Sequence, residues 1–412
     1  MANERPSVHW LGLNALGPGM LRNRIQTVLS TTNFRQLEKV ALAARLQQDN
    51  IADPSIVCTV NPYRFTNGFN NVIFELEFSD SVYWIARIQH VSVDFFEAHE
   101  NAADLLSEIT TMRTVRKRTS IPVPEVYTYD VSPSNEVGYP YLLMESLPGR
   151  VLQGPIALQV PPEHTPKVAK QLAEVMFQLH GLAFDRLGRL WSGNEGEGEL
   201  EIVPIGFDNA TSPDAGPRTS LEWFYTHRQQ ANRQALESHP EDPEWLAACW
   251  VLKTAVPHII IEARLRGPFP LCHLDLHHGN LLFDDDYNLT GVIDWSQAQT
   301  VPLERLVVSP EFVTFPAGSE ENNKKIIGFK ELVREHLQHL EEAGRDPIQS
   351  SEASQPFLSQ FFGSRHAEIT HRCTYSRPHR ALWDARLVAA LIYGDQVSWT
   401  QLVSVYRGME LY

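Results

Sequence analysis

The sequence predicts an α+β fold in two unequal lobes, a β-rich first lobe and a mostly helical second one. Strand-like runs fill the region from Ile56 to Gln89 and return between Glu125 and Met144. Beyond about residue 150 the apolar residues recur at helical spacing instead. Set into that helical text is one strongly polar stretch, LCHLDLHHGNLLFDDDYNLTGVIDW from Leu271 to Trp295. It has the pattern of a hairpin with reactive side chains at both ends.

Composition supports this class and removes others. At 412 residues with 43% hydrophobic content, the chain can hold two lobes around a sizeable core. Fifty acidic residues against thirty-five basic ones, a net charge of −15, oppose general nucleic-acid binding, which needs a basic face. The start MANERPSVHWLG carries no signal-peptide pattern, and no apolar run is long enough to span a bilayer. The expectation is a cytoplasmic protein without a membrane partner. Cys58, Cys249, Cys272 and Cys373 are far apart and form no CxxC pair, which argues for reduced thiols rather than disulfides or a thiolate zinc site. The Asn-x-Thr sequons at Asn209 and Asn288 matter only in secreted chains and are taken as chance.

In chain order, residues 1–50 form an extension with two short helices suggested by Ile25, Val28, Leu29, Leu37, Val40 and Leu42. It either packs on the smaller lobe or covers a ligand there. Three strands follow, Ile56 to Val60, Val72 to Phe78 and Val82 to Ile88, forming a small antiparallel sheet. Asn61 to Asn71, containing Gly68, reads as the loop between the first two. A helix from about Phe95 to Arg118 has Leu105, Ile109 and Met112 on one face and Glu108 at its border, and Pro122 and Pro124 end it. Two more strands, Glu125 to Asp130 and Tyr139 to Met144, lead to the pattern break Glu145-Ser146-Leu147-Pro148-Gly149.

The second part opens with a helix bracketed by Thr165 as N-cap, Pro166 and Gly181, whose apolar face is Val168, Leu172, Val175 and Leu179. Residues 188–220 form a Gly/Pro/acidic insert. Its Gly193-x-x-Gly196-x-Gly198 lies among glutamates that would repel phosphate, so it is a loop. Helices of about Ser220 to Glu237 and Pro243 to Arg266 precede the polar hairpin. Lys324 to Ala343 is a charged amphipathic helix, and Ala381 to Tyr393 carries the stripe Trp383, Leu387 and Leu391, a core stripe by default.

The hairpin carries the chemistry. Apolar runs Leu281 to Phe283 and Leu289 to Ile293 flank the turn-prone Asp284-Asp285-Asp286-Tyr287-Asn288. Folding about Tyr287 places Asn280 opposite Asp294, with Asp275 one loop upstream. One amide and two carboxylates suit a hard cation such as magnesium, completed by substrate phosphates. The implied chemistry is phosphoryl transfer, in which one carboxylate orients the attacking hydroxyl and others hold metal on the nucleotide.

His273-x-Asp275-x4-Asn280 followed by Ile293-Asp294-Trp295 resembles the aminoglycoside phosphotransferase family, relatives of choline kinases and protein kinases, and in particular its fungal-type branch. The resemblance covers about residues 56 to 310 and implies a bilobal protein-kinase-like fold, α+β, with a β-rich N-lobe and a mostly helical C-lobe. It implies Asp275 as catalytic base, Asn280 and Asp294 as magnesium ligands, and His273 as a buried brace for the loop. Leu274 stands where the family usually has Gly. Arg87, in Tyr83-Trp84-Ile85-Ala86-Arg87-Ile88, stands where the kinase strand has its phosphate-binding Lys, and Glu108 occupies the place of the helix glutamate that pairs with it. Glu145 and Leu147 fall at the hinge, where backbone groups hydrogen-bond adenine, and the loop with Gly68 would cover the phosphates. C-terminal helices, with the segment from Trp223 to Tyr225, would wall the substrate pocket.

The organisation expected is therefore an N-terminal helical extension over 1–50, a nucleotide-binding N-lobe over 51–145, and a catalytic and substrate-binding C-lobe over 146–412. The expected activity moves the γ-phosphoryl of ATP or GTP, with Mg2+, to a hydroxyl of a small molecule. No GxxxxGK[ST] stretch marks a P-loop kinase, and no APE-like anchor follows Asp294-Trp295 to suggest a protein substrate. Two other readings stay open. Arg87 for Lys is compatible with an inactive kinase-fold protein that binds nucleotide or a partner. His273, Asp275, His277 and His278 are compatible with a zinc-dependent hydrolase. The acceptor and the oligomeric state are not written in the residues.

Overall fold

The computed structural model describes residues 5–48, 55–68, 70–90, 95–193, 198–205, 216–310, 318–344, 357–374 and 378–411. Helices α1 (Met20–Thr31) and α2 (Phe34–Gln48) precede three strands, β1 (Cys58–Asn67), β2 (Asn71–Phe78) and β3 (Tyr83–Gln89). After α3 (Phe95–Arg118) come β4 (Val126–Asp130) and β5 (Tyr141–Glu145). The five strands make one antiparallel sheet in the order β1-β2-β3-β5-β4.

The period of two along the strands sorts the sheet into two faces. Val72, Phe74, Leu76 and Phe78 of β2, with Trp84, Ala86 and Ile88 of β3, form a core with Ile25, Val28, Leu37 and Ala41 of the extension. The extension thus packs on the smaller lobe, the first of its two expected roles. Each Val, Leu, Ile or Phe among them, taken wholly out of water, contributes roughly 1.5–3 kcal/mol. The alternate residues of β3, including Arg87, face α3, whose Leu105, Ile109, Met112 and Val115 belong to the larger core.

Strand β1 corrects one expectation. It runs through Asn67, so most of the stretch from Asn61 to Asn71 is strand rather than loop. A register shift between Val60 and Phe65 takes up Pro62, which an edge strand tolerates at such a bulge, and Phe65 then pairs with Phe74 in the core.

Beyond β5 the chain is mainly helical. The elements are α4 (Ile156–Gln159), α5 (Thr165–Gly181), β6 (Ala183–Phe184), β7 (Arg189–Trp191), β8 (Glu201–Val203), α6 (Ser220–Ser238) and α7 (Pro243–Ala255). Then come β9 (Phe269–Cys272), β10 (Leu281–Phe283), β11 (Leu289–Val292), β12 (Gln299–Thr300), α8 (Leu303–Val307) and α9 (Glu320–Ala343). Helices α10 (Leu358–Phe361), α11 (Arg365–Thr374), α12 (Ala381–Tyr393) and α13 (Trp399–Tyr406) complete the described chain. This is an α+β, bilobal fold, with an antiparallel sheet in the first lobe and mainly helices in the second. No helix among the described residues is long and apolar enough to cross a membrane. The four cysteines are buried and free.

Several details differ from the sequence reading. Thr165 is the first helical residue of α5, and its hydroxyl donates back to the Pro161 carbonyl at 3.0 Å instead of capping the helix. The helix expected to reach Arg266 ends at Ala255, where Pro257 interrupts the ladder and two 3-10 turns follow. The insert over 188–220 contains a two-stranded ribbon of β7 and β8, while Gly196 lies outside the described residues. On α12 the large stripe faces outward: Trp383 is 67% exposed and Leu387 42%. The buried positions are Ala381, Asp384, Ala385, Val388 and Ala389, because α12 lies close against α7 on its small residues.

Candidate active site

The polar stretch folds as a hairpin of β10 and β11, with Leu281 opposite Val292 and Leu282 opposite Gly291. Its turn is closed by Asp284, whose carboxylate accepts from the backbone N–H groups of Asp286 and Asn288 and from the Asn288 amide. The acidic run is therefore a self-satisfied turn. At the other end the Ile293 N–H donates to the Asn280 carbonyl at 3.0 Å, which sets Asn280 and Asp294 on facing chain ends.

Each side chain of the motif has a distinct environment. His273 is buried, and burial lowers its pKa, so the neutral ring donates from Nε2 to the Ile293 carbonyl at 3.0 Å and stands edge-on to Trp295. Its own carbonyl accepts from the Ser309 hydroxyl at 2.6 Å. The Asn280 amide donates to the Asp275 carbonyl at 2.8 Å, leaving Oδ1 as the remaining acceptor of that amide. The Asp275 side chain is 69% exposed. Asp294 sits at φ +59°, a left-handed conformation uncommon outside glycine and held by its surroundings at functional sites. Its carboxylate is 44% exposed and accepts from the Ser296 hydroxyl at 2.7 Å.

On the sheet side, Arg87 of β3 and Glu108 of α3 form a bidentate ion pair, Nη1 to Oε1 at 2.7 Å and Nη2 to Oε2. Glu108 is buried, not at a solvated border. Burial alone would lower the Arg87 pKa, but the Glu108 charge and hydrogen bond, then Asp294, raise it, so the guanidinium is held charged. Arg87 Nη1 also lies 4.0 Å from Asp294 Oδ1, the contact that joins the sheet side to the hairpin.

The segment after β5 is tied to the same hairpin. Arg150 and Phe283 exchange two backbone hydrogen bonds of 2.9 Å, and the Thr290 hydroxyl donates to the Pro148 carbonyl at 2.6 Å. Gly149, at φ +97°, lies so close that a Cβ there would fall 2.7 Å from the Phe283 carbonyl oxygen. The Leu147 side chain reaches the Cα side of Gly291 in β11. The Glu145 N–H donates to the Glu125 carbonyl at 2.8 Å, and its carboxylate accepts from Arg116 at 2.9 Å.

Of the residues named from sequence, Asn280 holds the Asp275 backbone, and Arg87 joins Glu108 and lies 4.0 Å from Asp294. Gly68 stands apart, at the tip of the β1–β2 turn, where its N–H donates to the Asn71 carbonyl and a Cβ would meet open space. Residues that reasoning passed over are Ser296, Ser309, Thr290 and Arg116. All four act through hydrogen bonds to backbone or neighbouring carboxylates, and only Ser296, a hydroxyl two residues after Asp294, left a local signal. The zinc reading loses its ligands. His273 turns to the Ile293 carbonyl and His277 to the Gly279 N–H, and the described residues contain no group of three His, Cys, Asp or Glu that could hold a metal. Trp223 and Phe224, expected near the substrate, are buried against each other, with Tyr225 42% exposed.

An oxygen-only donor set of the Asn280 amide and the Asp294 carboxylate fits magnesium. The chain is 31% identical over 244 residues to altered inheritance of mitochondria protein 9, mitochondrial, of Candida tropicalis, covering 58% of this chain and 33% of that protein. It is 25% identical over 223 residues to clavilactone A biosynthesis cluster protein Y of Ampulloclitocybe clavipes, covering 51% of this chain and 53% of the other. The matches span about a third to a half of those relatives' lengths. Among solved structures it is similar to aminoglycoside phosphotransferase APH(4)-Ia, with 14% identity, a TM-score of 0.45 and coverage of 90% of this chain and 99% of that one. It is also similar to macrolide 2'-phosphotransferase type I, with 15% identity, a TM-score of 0.42 and coverage of 89% and 95%. The sequence model of the phosphotransferase enzyme family, APH, matches residues 65–304, more than half of the chain and all of the span from Arg87 to the hairpin, and the chain belongs to that family.

Proposed function

We propose that this protein transfers the γ-phosphoryl group of ATP or GTP to a hydroxyl of a small molecule, with Asp275 as the base. The observation that carries the reading is the meeting of the two lobes' charged groups: the buried Arg87–Glu108 pair lies 4.0 Å from Asp294 at the end of the hairpin. The base of the nucleotide would lie on the backbone at Glu145 and Leu147, and Arg87 would meet phosphate oxygens with the N–H groups that Glu108 leaves unused.

The acceptor oxygen attacks the γ-phosphorus as the bond from that phosphorus to the β,γ-bridging oxygen breaks, and the nucleoside diphosphate leaves with the electron pair. The acceptor's proton passes to the exposed Asp275 carboxylate, whose loop is fixed by the Asn280 amide on its carbonyl. Asn280 and Asp294 would hold magnesium, which supplies charge neutralisation on the phosphates. Most of the rate enhancement in such a reaction is positioning and electrostatics, which suits a site whose polar groups are set by backbone hydrogen bonds.

The test is isothermal titration with ATP and GTP, with and without magnesium, beside an assay for slow hydrolysis. Magnesium-dependent binding with leak hydrolysis is expected, and Asp275→Asn is expected to lower turnover about 10²- to 10⁴-fold while sparing binding. Full turnover in that variant would remove Asp275 from the reaction. A second reading, an inactive kinase-fold protein that binds nucleotide or a partner, draws on Arg87, whose fork is already engaged by Glu108. Nucleotide binding with no transfer to any alcohol and no hydrolysis favours that reading.

A further inference from the structure

Asp275 has a neighbour to which the chemistry above gives no task. His277 uses its Nδ1 to accept from the Gly279 N–H at 2.9 Å. A neutral imidazole with an acceptor at Nδ1 carries its hydrogen on Nε2. That Nε2 lies 3.4 Å from Asp275 Oδ2. The ring is seated, not swinging in solvent. A Cβ on Gly279 would fall 2.6 Å from ring atom Cε1 and 3.0 Å from Nδ1, so the ring occupies the space that any other residue at 279 would fill. The ring of His278 meets it edge-on with centroids 5.3 Å apart.

We infer that His277 is a positioning residue for the base: its Nε2–H holds Asp275 Oδ2, so that the carboxylate presents Oδ1 to the acceptor hydroxyl. This deepens the phosphotransferase reading and rests on it. A carboxylate that is 69% exposed on a loop otherwise samples several rotamers, and only some of them face a bound alcohol. A separation of 3.4 Å is long for a hydrogen bond, of the kind that tightens when substrate excludes water. His277 does not itself receive the proton, because one ring nitrogen is engaged as acceptor from Gly279 and the other as donor to Asp275. The proton stays on Asp275 until product leaves.

The contact predicts a pattern across three variants of the full chain, assayed for magnesium-dependent ATP hydrolysis or transfer. His277→Ala lowers kcat by about ten- to a hundred-fold, the usual cost of losing a group that orients a reacting one. The nucleotide KM stays within about two-fold, because the contact is made to the base and not to the nucleotide. Gly279→Ala reproduces the loss by displacing the ring, and His277→Gln, which still offers an N–H, recovers most of it. Nitrogen-15 NMR of the wild-type ring shows the Nε2–H tautomer, and its signal moves in Asp275→Asn. An Nδ1–H tautomer, a ring signal indifferent to Asp275→Asn, or an unchanged kcat in His277→Ala overturns the inference. A wild type that binds nucleotide but neither hydrolyses it nor phosphorylates any alcohol favours the inactive kinase-fold reading instead, and the two NMR spectra then decide the His277–Asp275 contact alone.

Discussion

The buried pair between Arg87 and Glu108 offers the sharpest separation of stability from function. Both side chains are almost wholly out of water, 8% and 3% exposed. Removing one partner leaves an uncompensated buried charge, so Glu108→Ala should destabilise by about 3–5 kcal/mol. If the 412 residues unfold as one unit, that corresponds to a fall in Tm of about 3–6 °C. Replacing the pair by apolar residues of similar size is often neutral, so the double variant Arg87→Met, Glu108→Leu should return to within about 1 kcal/mol of the parent. Its nucleotide turnover should not return, because the group proposed to meet phosphate is gone. The assay is a pair of measurements on each variant, calorimetric unfolding and magnesium-dependent titration with ATP. A double variant that regains both stability and nucleotide binding would show that the pair only fastens α3 to the sheet. A cost below about 1 kcal/mol in Glu108→Ala, the range of an exposed pair, would show that the charges are solvated.

Two further outcomes follow from the geometry. Gly149→Ala places a Cβ against Thr290 and Phe283 at a positive φ, and should cost about 1–3 kcal/mol with a raised nucleotide KM, whereas Gly68→Ala, in open space, should leave Tm unmoved. A tolerated Gly149→Ala in thermal melts would refute the close approach. Glu304 and His180, both near Arg264, titrate in opposition. Burial pushes the Glu304 carboxyl up to about 7, a stabilisation present below its ordinary 4.5 and lost as pH rises through 7. Burial, then the Arg264 charge, pushes His180 down to about 4, a stabilisation present above 6.5 and lost as pH falls through 4. Between 4.5 and 6.5 the two slopes cancel, so Glu304→Gln should make stability fall with acid by up to about 1.4 kcal/mol more per pH unit than the parent in urea titrations. Equal slopes in the two proteins would refute the pairing.

Much of this was legible in the residues because the determinants are local. The hairpin follows from two apolar runs around Asp284 to Asn288, and its register alone brings Asn280 to Asp294. Helix starts marked by a cap residue or a proline fall where expected, at Thr165, Ser220 and Pro243. What failed depends on partners far away in sequence. The stripe of Trp383 and Leu387 reads as core by size, but the neighbour α7 accepts the small side of α12 instead, and no local pattern records that choice. β1 was cut short because Pro62 reads as a breaker, whereas the bulge and the partner Phe74 hold it in the sheet. The helical pattern alone set Glu108 at the border of its apolar face, and only the resemblance paired it with Arg87, twenty-one residues away in the chain.

The 4.0 Å approach of Arg87 to Asp294 is too weak to hold the lobes in place. Asp294 is 44% exposed, and pairs with that much solvent access contribute about 0–1 kcal/mol. The backbone supplies the alignment instead. Val292 of β11 donates to the Pro122 carbonyl beyond α3 at 2.8 Å, and Arg150 and Phe283 bridge the segment after β5 to β10. From the other side Gln171 of α5 accepts from the Leu289 N–H at 2.7 Å and donates to the Tyr287 carbonyl at 2.9 Å. Backbone bonds of this kind are costly to leave unmade once buried, at about 1–3 kcal/mol for each group. The hairpin is therefore fixed along its length to both lobes, while the Asp275 and Asp294 carboxylates at its open end stay 69% and 44% exposed. The two carboxylates contribute little to their own placement, so charge-removing substitutions at Asp275 and Asp294 can test the proposed chemistry without unfolding the site.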